Sequence, residues 1–193
     1  MLDATYGGSC PCPGLPIGNI VLLEGESGVG KTRLALLLSS NVCRSGGSVV
    51  YLTNREIPEY LGTLSDSRDF VCEKADTLWK MWRRAREAFN QGTTLLVLDA
   101  LDDIKDGIEA QSFAFLALQQ EAQQSKTCVV GVTRKPSKPW RFLPHRRFLL
   151  EAPETGGDSV GYTLIKDCLD VGQGHKGALK WSSLVGSNLR CLP

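Results

Sequence analysis

The residues best suited to chemistry form one short run, from Gly25 to Thr32, whose letters are GESGVGKT. A lysine and a threonine follow directly after the last of its three glycines. Glycines allow the backbone to curl until successive N–H groups point at a single phosphate group. The Lys31 ammonium can then reach the outer phosphates of a nucleotide, and the Thr32 hydroxyl can ligate Mg²⁺. The spacing therefore predicts a phosphate-binding loop, with a chance glycine-rich turn as the alternative.

This loop needs a strand before it and a helix after it, and the sequence offers both. Residues 19–23 are an almost uninterrupted apolar run, and residues 34–38 carry a helical pattern. A helix that starts at the loop adds the positive end of its dipole to the anion site. We expect ATP to contact the loop and the first helical residues, namely Glu26, Ser27, Gly28, Val29, Gly30, Lys31, Thr32 and Arg33.

Asp99 is the second candidate, because it ends the apolar run of residues 93–98. Such a run is typical of a central parallel strand that is buried on both faces. Ligands of parallel sheets bind at the carboxyl ends of the strands, where Asp99 would lie. We expect Asp99 to hold Mg²⁺ together with Thr32. The alternative is an ordinary strand-ending aspartate that caps the next turn.

Other apolar runs alternate with helical patterns, which predicts βαβ units and an α/β fold. Thr133 ends one of these runs and is a candidate sensor of the terminal phosphate. Asp102 and Asp103 are expected to begin the next helix, since acidic residues favour helix N-termini. Residues 54–75 are polar and lack a sustained period, which predicts loops and at most one turn of helix.

The segment from 134 to 147 is basic, contains no acidic residue and is interrupted by three prolines. Cations that neutralise phosphates and aromatics that stack on bases are the ingredients of a single-strand contact. The alternatives are a protein interface, or a surface loop whose aromatics pack onto the core. The candidate nucleic-acid or partner contacts are Arg134, Lys138, Trp140, Arg141, Arg146 and Arg147.

Length and composition place few restrictions on function. The chain has 193 residues, 42% of them hydrophobic, and a net charge of +1, which is ordinary for one globular domain. We expect an irregular lead-in over 1–13 and a single domain over 14–193. No apolar run is long enough to span a membrane, so we expect no membrane association. Seven scattered cysteines indicate a reducing compartment, and the pair Cys10 and Cys12 is weighed as a packing segment against a metal site.

The order of these parts resembles the RecA superfamily core. The lead-in at 14–25, GLPIGNIVLLEG, looks like the approach to the phosphate loop in RecA and KaiC-type ATPases. The Asp-ended strand, the strand that closes on Thr133 and a pattern of two strands at 160–169 and 178–185 also fit. The resemblance implies an α/β, RecA-like P-loop ATPase core. Its central sheet would be mainly parallel, flanked by helices, with a C-terminal antiparallel hairpin.

Within that superfamily the chain is similar to the small recombinase paralogues of eukaryotes. In particular it resembles the ATPase that partners the SWIM-type zinc-finger protein in the Shu complex. The residues behind this likeness are Tyr51 to Arg55 and Leu95 to Asp103. The resemblance implies ATP and Mg²⁺ as cofactors, homologous recombination DNA repair in the nucleus, and single-stranded DNA as a partner. It also implies a protein partner, either a SWIM-type zinc-finger protein or a recombinase.

One departure from the family concerns catalysis. Active members place a catalytic Glu four positions after the aromatic of the second strand, and counting from Tyr51 gives Arg55. Glu56 comes one residue late and is the candidate general base, with Lys31 stabilising phosphate charge. We therefore expect weak hydrolysis, or binding without much turnover. A hexameric nucleic-acid motor and an interaction subunit with a structural nucleotide are the alternative functions.

Overall fold

A computed structural model describes residues 17–56, 69–103, 107–136, 140–141, 144–152, 159–167 and 176–180. Cys10, Cys12 and Lys138 lie outside these ranges, as does most of the expected lead-in. Within the described residues, no helix is long and apolar enough to cross a membrane.

Eight strands of the described chain form one sheet, in the order β3-β2-β4-β5-β1-β6-β7-β8. The first six strands in this order are parallel, and β7 and β8 are antiparallel to their neighbours. The strands are β1 (Ile20–Glu24), β2 (Val49–Thr53), β3 (Phe70–Lys74), β4 (Leu95–Asp99), β5 (Cys128–Thr133), β6 (Arg146–Glu151), β7 (Ser159–Asp167) and β8 (Lys176–Lys180).

Three helices of the described chain cover the sheet: α1 (Lys31–Arg44), α2 (Leu78–Asn90) and α3 (Ile108–Ser125). Alternate residues of β1 enter two separate cores. Val21 and Leu23 pack in the core that contains α1, and Leu22 packs in the core that contains α2 and α3. Every residue of β1, β2, β4 and β5 is buried, as continuous apolar runs predict for central parallel strands. The α/β fold class predicted from the sequence is confirmed.

The expectation of loops over residues 54–75 is wrong for β3, which pairs with β2 at the edge of the sheet. Its letters, FVCEK, show no clear alternation because only Phe70 is buried and Val71 is 40% exposed. An edge strand packs on one side only and therefore lacks the apolar run that marks a central strand.

The two strands predicted near the C-terminus are confirmed as an antiparallel pair, in which Val160 faces Leu179. β8 begins at Lys176, two residues before the predicted start. β7 pairs in turn with β6, so that the antiparallel hairpin extends the parallel sheet at the β1 side.

A glycine in the middle of β5 makes room for two leucines that pack against the strand. A Cβ atom at Gly131 would lie 3.0 Å from side-chain atoms of Leu22 and Leu101, and 3.5 Å from the Trp140 indole. Trp140 is buried and meets Phe115 edge to face, with ring centroids 4.7 Å apart. The expectation that Trp140 stacks on bases or a partner is corrected, because this indole belongs to the core.

Candidate nucleotide-binding site

The phosphate loop connects β1 to α1 and depends on glycine at defined points. Gly25, Gly28 and Gly30 all have positive φ angles, of 148°, 85° and 98°. A Cβ atom at Gly25 would lie 2.3 Å from the carbonyl oxygen of Leu150 on β6. No side chain fits there, so the loop can follow this path only with glycine. α1 begins at Lys31, which places the positive end of the helix dipole at the loop.

Lys31 is buried and its ammonium lies inside the curve of the loop. Its Nζ donates hydrogen bonds to the carbonyl oxygens of Gly25, at 2.7 Å, and Glu26, at 2.6 Å. Burial is the largest cause that lowers the pKa of Lys31, and the charges of Arg55 and Arg134 lower it further. The carboxylates of Asp102 and Asp99 act in the opposite direction. Lys31 therefore sits in a cluster of charged groups that act on one another.

Thr32 and Asp99, the predicted magnesium ligands, are in contact. The Thr32 hydroxyl donates to Asp99 Oδ2 at 3.1 Å. The Tyr51 hydroxyl, which is fully buried in β2, donates to the same oxygen at 2.7 Å. A hydroxyl and a carboxylate oxygen at the mouth of a phosphate loop form the hard oxygen donor set that Mg²⁺ prefers. The residues present therefore fit a magnesium ion.

The strand ends meet at one edge of the sheet, as expected. Thr53 pairs in register with Asp99, and Glu24 pairs with Thr133. A cleft opens at this edge and is lined by six of the eight expected ATP contacts: Ser27, Gly28, Gly30, Lys31, Thr32 and Arg33. The carbonyl of Glu26 binds Lys31 instead, and Val29 packs against the core.

The ends of β2, β4 and β5 supply the rest of the described cleft lining, namely Arg55, Asp99, Ala100, Asp102, Val132, Thr133 and Arg134. Glu56 is exposed and is not among the described residues that line the cleft. Arg55, one residue earlier in the chain, lines the cleft instead. The role of Glu56 as a general base stays a prediction.

Asp102 does not begin the next helix, because α3 starts at Ile108 and residues 101–103 form a single 3₁₀ turn. Its carboxylate accepts hydrogen bonds from the Thr133 hydroxyl and from the backbone N–H groups of Arg134, at 2.8 Å, and Lys135, at 3.1 Å. Burial raises the pKa of Asp102, but these hydrogen bonds outweigh it and leave the pKa below its usual value. Asp102 therefore fastens the segment after β5 to the segment after β4.

The described cations of the basic segment point in different directions. Arg134 lines the cleft and lies 3.4 Å from Asp102, whereas Arg141 is exposed. Arg146 is buried in β6. Arg147 forms a buried ion pair with Glu24 at the end of β1, at 2.7 Å. The expectation that Arg146 and Arg147 contact DNA or a partner is corrected, because their side chains are enclosed within the fold.

Sequence reasoning overlooked three contributors to the site: Tyr51, Asp102 and Arg55. Tyr51 carries a usable signal, because it lies two residues before Thr53 on one strand and therefore shares a face with it. The partners of Asp102, Thr133 and Arg134, lie 31 and 32 positions away in sequence, and no local sequence pattern predicts these contacts. Among the described residues, no group of three or more His, Cys, Asp or Glu side chains forms a metal cluster.

This fold and this loop define the class of the chain, an α/β domain with a P-loop. Residues 17–81, about a third of the chain, match the family model described as IstB-like ATP binding protein. The match begins before β1 and ends in the first turn of α2, so it contains the whole phosphate loop. It supports ATP binding. No curated protein matches the chain.

Proposed function

We propose that the chain is a RecA-type, ATP·Mg²⁺-binding subunit that acts in homologous recombination DNA repair, in the nucleus. The observation that supports it is the convergence of Lys31, Thr32 and Asp99 on one cleft. Lys31 stabilises phosphate charge, while Thr32 and Asp99 hold the metal. When bound, Mg²⁺ bridges phosphate oxygens and neutralises their charge. The place in recombination rests on the resemblance to recombinase paralogues.

The proposed subunit hydrolyses ATP slowly or not at all. A general base must come within hydrogen-bond reach of the attacking water. Glu56 is exposed and lies outside the described lining of the cleft, so we expect it to serve poorly as this base. Asp102 lines the cleft, but its carboxylate already accepts hydrogen bonds from Thr133, Arg134 and Lys135. A carboxylate with a lowered pKa is also a weak base.

A protein partner is supported by the outer face of α3. Ile108, Phe113 and Leu116 are 56%, 75% and 50% exposed on this helix. Phe113 and Leu116 are three positions apart and are therefore neighbours on the helix surface, and a contiguous exposed apolar patch marks an interaction surface. We assign this face to a partner such as a SWIM-type zinc-finger protein or a recombinase.

Direct contact with single-stranded DNA stays part of the proposal, with a smaller set of residues. Arg141 is exposed and Lys138 lies outside the described ranges, whereas Trp140, Arg146 and Arg147 are enclosed in the fold. Stacking on bases needs an exposed aromatic ring. We therefore expect the chain to contribute phosphate contacts through Arg134, Arg141 and Lys138 and to obtain base contacts from its partner.

The test compares ATP binding and ATP turnover, with and without single-stranded DNA, in the wild type, Lys31→Ala and Glu56→Gln. The proposal expects ATP binding in the wild type and its loss in Lys31→Ala, with little turnover. Lys80→Ala, which removes an exposed lysine of α2, is the matched control and should bind ATP normally. A wild type that binds no ATP would contradict the proposal.

The same samples separate the alternatives. Rapid turnover stimulated by DNA, together with a hexameric mass in the presence of ATP, would identify a motor. Unchanged partner binding and repair activity in Lys31→Ala would identify the other alternative, an interaction subunit with a structural nucleotide. Rapid turnover that Glu56→Gln abolishes would establish Glu56 as the base.

A further inference from the structure

Arg55 lies at the cleft because of the turn that follows β2. Thr53 ends this strand in register with Asp99, the predicted magnesium ligand. The Arg55 N–H donates to the Thr53 hydroxyl at 3.1 Å, which holds the turn in place. Arg55 then lines the same cleft as Lys31. The side chain therefore enters the site from the strand beyond Asp99, on the opposite side from the phosphate loop.

The charge balance of the cleft favours a polyanion. The cations among its described lining are Lys31, Arg33, Arg55 and Arg134. They outnumber the two carboxylates, Asp99 and Asp102, and each carboxylate already accepts hydrogen bonds. Arg55 and Lys31 are like charges that line the same cleft. Two like charges held together in a partly buried cleft repel each other until an anion lies between them.

The chemistry of a guanidinium decides what Arg55 can do here. It has no acceptor and stays protonated at any physiological pH, so it cannot take a proton from water. Its planar fork binds two oxygens of one phosphate group at once. The phosphate loop surrounds the inner phosphates, and Lys31 reaches the outer ones. A cation that faces the loop across Asp99 is placed for the outermost phosphate.

The geometry points to Arg55 as the residue that binds the terminal phosphate of ATP and makes the site selective for triphosphate over diphosphate. This inference rests on the proposed ATP-binding function. Arg55 would hold ATP in place at the position where the resembling ATPases carry a catalytic Glu.

The experiment measures the affinities for ATP and for ADP, each with Mg²⁺, by calorimetry or with fluorescent nucleotides. Arg55→Gln should weaken ATP binding about tenfold to a hundredfold, the usual effect of losing a charge-assisted hydrogen bond pair, while ADP binding changes less than about threefold. Arg55→Lys keeps the charge but loses the fork, and should give an intermediate loss for ATP. Circular dichroism checks that each variant is folded.

The matched control is Arg44→Gln. Arg44 is an exposed arginine at the last turn of α1, about 20 Å along the helix from Lys31 at the usual rise per residue. Its removal changes the net charge by the same amount and should leave both affinities unchanged.

Two outcomes would overturn the inference. The first is an equal loss of ATP and ADP affinity in Arg55→Gln, since that would make Arg55 a general electrostatic contributor. The second is an unchanged ratio of the two affinities in both Arg55 variants. A wild type that binds neither nucleotide is a different result, because it would contradict the proposed function itself.

Discussion

Tyr51→Phe removes one hydroxyl and keeps the rest of a buried side chain. The ring stays in contact with Phe70, whose centroid lies 6.3 Å away. The lost hydroxyl donates to Asp99 Oδ2 at 2.7 Å, while the other donor to that oxygen, Thr32, is 3.1 Å away. Tyr51 therefore orients the carboxylate, whose other oxygen, Oδ1, lies 3.5 Å from the Thr32 hydroxyl. We therefore treat Tyr51 as a positioning residue for the magnesium ligand.

Two magnitudes follow from this contact. A hydrogen bond to a charged group contributes about 1.5–3 kcal/mol to the free energy of unfolding. Loss of a partner that orients a metal ligand weakens metal affinity by about tenfold to a hundredfold. The assay titrates Mg²⁺ against binding of a fluorescent ATP analogue, and measures unfolding in denaturant separately. The magnesium midpoint of Tyr51→Phe should rise by at least tenfold, with binding recovered at high Mg²⁺.

The control for this variant is Tyr162→Phe, which removes a hydroxyl from another buried tyrosine, on β7. It should leave the magnesium midpoint where it is. A folded Tyr51→Phe with an unchanged midpoint would refute the reasoning, because Asp99 would then be oriented without Tyr51. An equal shift in Tyr162→Phe would refute it as well, since the shift would reflect a general loosening of the core.

Two further substitutions test contacts that hold the site together. Arg147→Met leaves the Glu24 carboxylate buried without its partner and should lower the free energy of unfolding by about 3–5 kcal/mol, measured in denaturant. The double variant Glu24→Gln/Arg147→Met should recover most of that loss, and a double variant as unstable as the single one would contradict this account. Asp102→Asn should cost about 1–3 kcal/mol at neutral pH, because the charge-assisted bonds from Thr133 and the following N–H groups weaken. The folded pKa of Asp102 is lowered, so its contribution is present above the ordinary aspartate value of about 3.9 and is lost as pH falls further. Below about pH 4, the free energy of unfolding should therefore fall more steeply with decreasing pH in the wild type than in Asp102→Asn. Parallel plots of this free energy against pH would show that the ionised carboxylate contributes nothing.

The phosphate loop and Asp99 were predictable because the residues that identify each of them are close together in the sequence. Binding a phosphate requires glycines, a lysine and a hydroxyl within eight positions, from Gly25 to Thr32. Asp99 follows a continuous apolar run, and such a run identifies a central strand without knowledge of its neighbours. The parallel sheet then brings the ends of these strands together, as the pairing of Thr53 with Asp99 confirms.

The basic segment shows why other predictions failed. The composition of the segment gives the number of cations but not the direction in which each side chain points. Arg147 is enclosed because Glu24, 123 positions away, lies on the neighbouring strand. Trp140 is enclosed because it packs against Phe115, 25 positions earlier in the chain. Both partners become visible only when the order of the strands is known, and the order is a property of the whole sheet.

The missing side chain at Gly131 has a consequence that reaches beyond packing. Leu101 lies close against β5 because of that gap, and Asp102, which follows it directly in the chain, lines the cleft. The position of Asp102 in the cleft therefore depends on how Leu101 packs against β5. A methyl group added at Gly131 would displace Leu101 and, through the chain, the neighbouring residue Asp102. The methyl group itself would contact no ligand. Changes in nucleotide binding can therefore arise from residues that a survey of the cleft would never select.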